Sequence, residues 1–473
     1  MSDYINEVMN IATMAAAEYR QLSQEQTDAI VKKVFEAAFN SRVTLAKMAV
    51  EETGIGIWEH KVMKNVIASQ LVYEDIKNLK TVGIISEDEV EGIVEIAQPM
   101  GPILAIIPVT NPTSTTIFKT LISLKTRNPI IICPSKKAVN CCSETARICY
   151  EAALEAGAPE GSIQWLTSVT REQTNELMTH KDLALILATG GSGLVKSAYS
   201  SGTPTIGVGA GNVPVFIEKS ADITFSIDQI FLSKTLDNGT ICASEQAVVV
   251  EKSISEEVIA EFKKKGAYFL NREEIHILSQ VALNPDTKLM NPDIVGKSAK
   301  FILDKAGIAA PEDVMLIIAP LDGIGGAYAL SHEILAPILA FYIADDFQKA
   351  INLCIELNYH GGIGHSASIF SNDDEKIKYF AINMNAGRIC VNTPSSQGAV
   401  GGTYNRLSPS LTLGCGTSGK NITTDNVTAK HLLNIQRISR RRPNERFIRM
   451  DRDFYLDESY NAEQVNEIYN RNY

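Results

Sequence analysis

The chain has 473 residues, 45% apolar and 21% charged, the balance of a globular protein with material for two or three domains. A net charge of -11, with a dense basic cluster only at Arg437, Arg440, Arg441, Arg442, Arg446 and Arg449, argues against nucleic acid as a partner. Eight cysteines without paired CxxC spacing exclude a disulfide framework and the usual zinc sites. Met1-Ser2-Asp3-Tyr4 does not open a signal peptide, and no apolar run reaches the roughly 20 residues of a spanning helix, so a reducing cytoplasmic setting without membrane contact is expected.

Residues 1–80 read as helices, with Ile30, Val34, Ala37 and Ala38 at helical spacing. From Ile84 to Ile107 the pattern becomes extended. Alternation over Glu91–Ile96 and a turn at Pro99–Pro102 predict a protruding hairpin before the apolar run Ile103–Ile107. Strand and helix patterns then alternate: strands at Ile130–Ile132, Leu183–Leu187 and Val213–Ile217, with helices at Cys141–Leu154, from Leu194, and at Asp222–Leu236. Beyond Cys242 come strands at Ala247–Val250, Met315–Ala319, Ile338–Ile343, Ala367–Phe370 and Ile389–Val391, and a helix at Glu256–Lys265. This predicts two successive α/β domains with parallel sheets and a boundary just before Cys242. The tail from Asp451 holds Leu456, Tyr460, Val465 and Tyr469 at roughly helical spacing, but its position and polarity make disorder the expectation.

Several residues invite a chemical reading. Cys242 follows the Asp237-Asn238-Gly239 turn and precedes an apolar strand; locally, a small buried hydrophobe and a cleft-facing nucleophile both fit, and burial habits favour the first. Ala188-Thr189-Gly190-Gly191-Ser192-Gly193 carries small residues across a strand-to-helix turn, where backbone N–H groups can approach a phosphate, although the spacing is not GxGxxG. Gly207-Val208-Gly209-Ala210-Gly211 is a second segment suited to close backbone approach. Asn111 lies just past a strand end and fits either an Asx turn before Pro112 or an oxyanion donor. His365 fits a general base near neutral pH or a solvated loop histidine, and Glu333 fits a ribose ligand or an exposed carboxylate.

Taken together, the segments Asp237–Gln246, Ala188-Thr189-Gly190-Gly191 and Ser410–Gly416 resemble the aldehyde dehydrogenase superfamily, specifically its CoA-acylating branch, over about residues 5–435. The resemblance implies two Rossmann-like parallel-sheet domains plus a protruding oligomerisation hairpin. Residues 1–236 would form the cofactor-binding domain, with 86–101 in the hairpin. Residues 237–415 would form the catalytic domain, 416–450 a return segment and 451–473 a tail. It implies Cys242 as the nucleophile and Asn111 with the Cys242 N–H as oxyanion donors; that His365 assists deprotonation of CoA, or its reverse, is a further expectation. Thr189, Gly190, Gly191, Pro108, Val109, Thr110, Ser135, Gly209, Gly211 and Glu333 would contact the dinucleotide, and no metal is expected. The cofactor would be NAD, with NADP open because Cys133 replaces a family lysine while Lys136 and Lys137 follow it; CoA would be the co-substrate.

One departure from the hydrolytic members is informative. Alignment on Pro214 puts Val208 where they carry a water-activating glutamate, so transfer to CoA is expected over hydrolysis. The expected substrate is a short aldehyde such as acetaldehyde. Arg388 and the loop Thr393–Gln397 fall where family members line the aldehyde pocket; should a basic side chain point inward there, succinate semialdehyde or sulfoacetaldehyde would compete. A non-redox cysteine acyltransferase and an inactive structural protein are the other classes considered. A homodimer or homotetramer joined through strands is expected. The sequence contains no iron-dependent alcohol dehydrogenase segment and no added amphipathic N-terminal helix, so the alcohol-forming step is expected on a separate partner and a microcompartment is not the primary expectation.

Overall fold

Short strands that are apolar at nearly every position suit sheets covered on both faces. The computed structural model describes residues 2–284, 287 and 289–471, and it contains two such sheets and one smaller antiparallel one. The hairpin strands are β1 (Gly83–Asp88) and β2 (Ile93–Pro99). The first large sheet has β3 (Ile103–Ile106), β4 (Ile130–Cys133), β5 (Ile163–Trp165), β6 (Leu185–Thr189) and β7 (Thr205–Val208). The second has β8 (Val213–Ile217), β9 (Glu245–Glu251), β10 (Ala267–Phe269), β11 (Leu316–Pro320), β12 (Ile338–Ala344), β13 (Gly364–Phe370) and β14 (Ala386–Val391); β15 (Leu433–Ser439) joins the hairpin.

The first sheet runs β5-β4-β3-β6-β7, all parallel, and its order reverses between β3 and β6, the position where ligands bind such sheets. Ile103, Ala105, Ile130, Ile132, Leu185 and Leu187 enter the core on one face. Leu104, Ile106, Ile131, Cys133, Ile186 and Ala188 enter the core on the other. This is the two-residue period of a pleated strand. The second sheet, β10-β11-β12-β9-β8-β13-β14, is also parallel and divides its side chains between two cores in the same way.

The domain boundary expected at 236/237 is displaced. β8 pairs with β9 and β13, so Val213–Ile217 and the following helix Ile223–Thr235 belong to the second sheet, and the chain crosses over at Gly209–Asn212. The first large unit holds both sheets; residues 80–98 with 434 onward form a separate small unit. Within that small unit Arg437 pairs with Glu95 at 2.8 Å, and the tail carries the helix Ala462–Arg471 rather than the disorder expected of it. No helix among the described residues is long and apolar enough to cross a membrane.

Candidate active site

The chain leaves β7 at the C-terminal edge of the first sheet and enters β8 at the N-terminal edge of the second. Between these edges lies a cleft of about 1020 Å³, at the top of the range for ligand pockets. Pro108, Val109, Thr110 and Asn111 line it after β3, Ser135 after β4, Thr189, Gly190 and Gly191 after β6, and Gly209 after β7. Cys242 and Glu333 come from the opposite side. Gly211 and His365 stand behind the wall.

Cys242 is partly exposed in a loop tucked under β9. Its Sγ lies 3.2 Å from His365 Nε2, and His365 Nδ1 meets Ser366 Oγ at 3.0 Å. His365 is not a loop residue: it is fully buried in β13. Burial first, and the nearby Arg388 charge second, hold its imidazole down to about 3, so it is neutral rather than titrating near pH 7 as expected. Burial, then Glu333 and Cys415, push the Cys242 thiol up to about 12, against a smaller opposing effect of Arg388. The resting pair is therefore thiol and neutral imidazole, not an ion pair.

Arg388 does not face the cleft. Its guanidinium donates to the carbonyls of His365 (2.7 Å), Thr424 (3.3 Å) and Gly414, and to Asn426 Oδ1 (3.2 Å), which fixes the strand carrying His365. Ser395 and Ser396 are likewise buried against Glu245 and Ser233, so the loop Thr393–Gln397 adds no basic group to the cleft. Ile241, Leu283, Met290, Leu335, Val400 and Leu413 are among the residues that give the cleft an apolar lining.

Asn111 occupies the N-cap position of the helix Pro112–Lys125, yet its side chain makes no capping bond. Instead Nδ2 donates to Thr240 O at 3.1 Å and to Thr110 Oγ1 at 3.2 Å, while Oδ1 accepts from Lys64 Nζ at 2.6 Å. The amide thus faces the cysteine loop. Lys64, Lys61 and Asp237 form a buried cluster that sequence reasoning missed: Asp237 Oδ2 accepts from Lys64 at 2.5 Å and from Lys61 at 2.9 Å. Burial alone would raise the Asp237 carboxyl, but the two ammonium groups outweigh it and hold it at about 2. Asp237 and Asn238 lie at φ 53 and 54, a left-handed turn that non-glycine residues rarely adopt. Lysines three apart on a helix ordinarily read as a solvated face, and nothing in the sequence marked these as buried.

Two observations fit a dinucleotide in the cleft. Thr189 Oγ1 is buried at the end of β6 without a protein partner, and a Cβ at Gly209 would meet nothing within 4 Å. Glu333 Oε1 accepts from Gly211 N at 2.9 Å, and burial raises its carboxyl to about 7. No group of three or more metal-ligating side chains occurs among the described residues.

The aldehyde dehydrogenase family matches residues 2–269. The bifunctional aldehyde-alcohol dehydrogenase of Escherichia coli (strain K12) is 44% identical over 96% of this chain, which spans 51% of that protein; the chain is thus about half the length of such relatives. The succinate-semialdehyde dehydrogenase (acetylating) of Clostridium kluyveri is 37% identical over 92% of this chain and 95% of its own length. The crystal structure of an acetylating aldehyde dehydrogenase from Geobacillus thermoglucosidasius superposes with a TM-score of 0.90 at 48% identity, covering 93% of this chain and 98% of that one. With these matches, and with the cysteine, the amide and the Thr189-Gly190-Gly191 turn gathered in one cleft, the chain belongs to the aldehyde dehydrogenase family.

Proposed function

We propose that the chain is a CoA-acylating aldehyde dehydrogenase, converting a short-chain aldehyde, CoA and NAD(P)+ reversibly into acyl-CoA and NAD(P)H. The observation that carries this reading is the meeting of Cys242 and Asn111 in a cleft whose wall at Val208 is apolar. Cys242 Sγ attacks the aldehyde carbon and its proton is lost to solvent, with the neutral His365 Nε2 placed to accept the S–H hydrogen bond beforehand. The carbonyl electron pair moves onto oxygen, where Asn111 Nδ2 and the Cys242 backbone N–H receive it. A nicotinamide dinucleotide bound at Thr189–Gly191, Pro108–Thr110, Ser135 and Gly209, with its ribose at Glu333, supplies the hydride acceptor. Gly211 serves by holding Glu333. Cys242 is left as an acyl thioester. Without a carboxylate at Val208 to activate water, a thiol, ionised to about a few per cent at neutral pH, opens that thioester faster.

The apolar wall and the inward-turned Arg388 favour a short neutral aldehyde such as acetaldehyde over an anionic one. Lys136 and Arg171 enter the cleft after β4 and β5, where they would also meet the extra phosphate of NADP; NAD is the expected cofactor. The small sheet β1-β2-β15, with strand edges at β1 and β15, supports strand joining in a homodimer or homotetramer. The test follows absorbance of reduced nicotinamide with short aldehydes, with and without CoA, in the wild type and Cys242→Ala. The expected signal requires CoA and Cys242. Equal rates without CoA would overturn the acylating reading, and no signal with any aldehyde would favour a non-redox cysteine acyltransferase.

A further inference from the structure

An asparagine amide has two ends of similar shape and opposite hydrogen-bonding character, so its use as an oxyanion donor depends on which end faces the reacting carbonyl. A lysine ammonium has three donors and no acceptor, and beside such an amide it can pair only with the oxygen. Lys64 holds this position: Nζ is 2.6 Å from Asn111 Oδ1, 2.5 Å from Asp237 Oδ2 and 3.0 Å from Thr240 Oγ1. Its side chain is 4% exposed. Thr240 O, from the same turn, accepts from Asn111 Nδ2 at 3.1 Å and distinguishes the amide ends a second time. These four bonds tie the amide to the loop that carries Cys242, and the other Nδ2 hydrogen, on Thr110 Oγ1 at 3.2 Å, is the one a bound carbonyl oxygen would take over.

We propose that Lys64 is a positioning residue for the oxyanion site, fixing the Asn111 amide so that its nitrogen end, not its oxygen end, faces the carbonyl attacked by Cys242. Without Lys64 only the longer bonds from Nδ2 to Thr240 O and Thr110 Oγ1 still oppose turnover, and an amide that turns over presents an acceptor to a developing negative charge. Asp237 neutralises the ammonium, so the cation acts through the orientation of Asn111 rather than by attracting an anionic substrate. The inference rests on Cys242 being the nucleophile.

The test compares two reactions of the same thiol. In acylation by p-nitrophenyl acetate, Cys242 Sγ bonds to the carbonyl carbon through a tetrahedral oxyanion, p-nitrophenoxide leaves with its electron pair and the thiol proton goes to solvent. In alkylation by iodoacetamide, Sγ displaces iodide from carbon and no oxyanion forms. Removing one oxyanion donor costs about 10²- to 10³-fold, so Lys64→Met, which misorients the donor rather than deleting it, is expected to slow acylation about 10- to 100-fold and alkylation by no more than about threefold. In an Asn111→Ala background the same substitution is expected to add no more than about a twofold loss, because contacts acting through one another are not additive. Lys64→Arg, which keeps the donors, is expected to recover most of the acylation rate. Lys64→Gln, whose amide can offer either end to Asn111, gives the same ratio should the methionine variant not fold. Acylation and alkylation falling together, or an undiminished Lys64 effect in Asn111→Ala, would overturn the proposal. Cys242→Ala reacting like the wild type in both assays would instead remove the nucleophile reading, and the proposal with it.

Discussion

In the ligand-free protein Cys242 should be an unreactive thiol, and the structure gives the size of the effect. Burial and the neighbouring Glu333 place its ionisation at about 12, and the imidazole 3.2 Å away is held at about 3 and so offers no positive charge. At pH 8 an ordinary thiol with a pKa near 8.5 is about one quarter ionised, whereas one at about 12 is ionised to roughly one part in 10⁴, a deficit of about 2,000-fold. The more basic thiolate is intrinsically more nucleophilic; with a Brønsted slope of about 0.4–0.5 over the difference of about 3.5, it recovers roughly 25- to 55-fold. The net expectation is exchange with 4,4′-dithiodipyridine about 40- to 100-fold slower than for a free cysteine peptide at pH 8. The signal is isolated by subtracting Cys242→Ala, which removes the contribution of the seven other cysteines, all of them buried. The logarithm of the rate should rise linearly with pH from 7 to 10. A plateau below about pH 9 would refute the reasoning, since it would mean that the resting site already holds a thiolate against His365 or Arg388.

Asn111→Ala should lower kcat for aldehyde oxidation about 10²- to 10³-fold with little change in KM, measured by steady-state kinetics, because the amide acts on charge that appears only in the transition state. Glu333 is protonated below about 7 and ionised above it. A carboxylate accepts a ribose hydroxyl more strongly than the acid does, so the Kd for NAD+ by calorimetry should tighten about fivefold from pH 6 to 8 and become flat in Glu333→Gln. Val208→Glu should raise reduced-nicotinamide formation without CoA relative to the rate with CoA; an unchanged ratio would count against Val208 as the reason water is excluded from the chemistry. Asp237→Asn leaves Lys61 and Lys64 buried without their carboxylate and should cost about 3–5 kcal/mol in urea denaturation.

The sheets were legible because parallel strands covered on both faces are written as unbroken apolar runs. Val213–Ile217 was located to the residue, and Val139–Glu155 nearly so. Short β5, β7 and β10 escaped because Ile-Gln-Trp, Thr-Ile-Gly-Val and Ala-Tyr-Phe are not the unbroken aliphatic runs that mark β3 and β4. The domain boundary was misplaced for a different reason: alternation reports neighbours along the chain, whereas β8 finds β9 and β13 in space. Motif resemblance pointed to Cys242, Asn111 and Glu333, and the fold brings the three to one cleft. The resemblance gave no view of Lys61 and Lys64, whose charges imitate a wet helix face. The glycines around His365 suggested a loop. In fact Gly364, at φ 81, opens β13, and a Cβ there would come within 1.8 Å of Cys415 O. The glycine serves a close backbone contact rather than a mobile turn.

The segment Gly209–Asn212 ends one sheet, begins the other and roofs the nucleophile. A Cβ on Gly211 would lie 2.4 Å from the Cys242 carbonyl oxygen and 3.1 Å from the His365 ring. A redesign of the cleft for bulkier ligands therefore has no freedom at Gly211, where a single methyl group would collide with the Cys242 main chain and the neighbouring histidine, whereas Gly209 beside it has room. The adjustable surface is the rest of the lining, where Leu283, Met290, Leu335, Val400 and Leu413 can be shortened one at a time without adding bulk against the main chain.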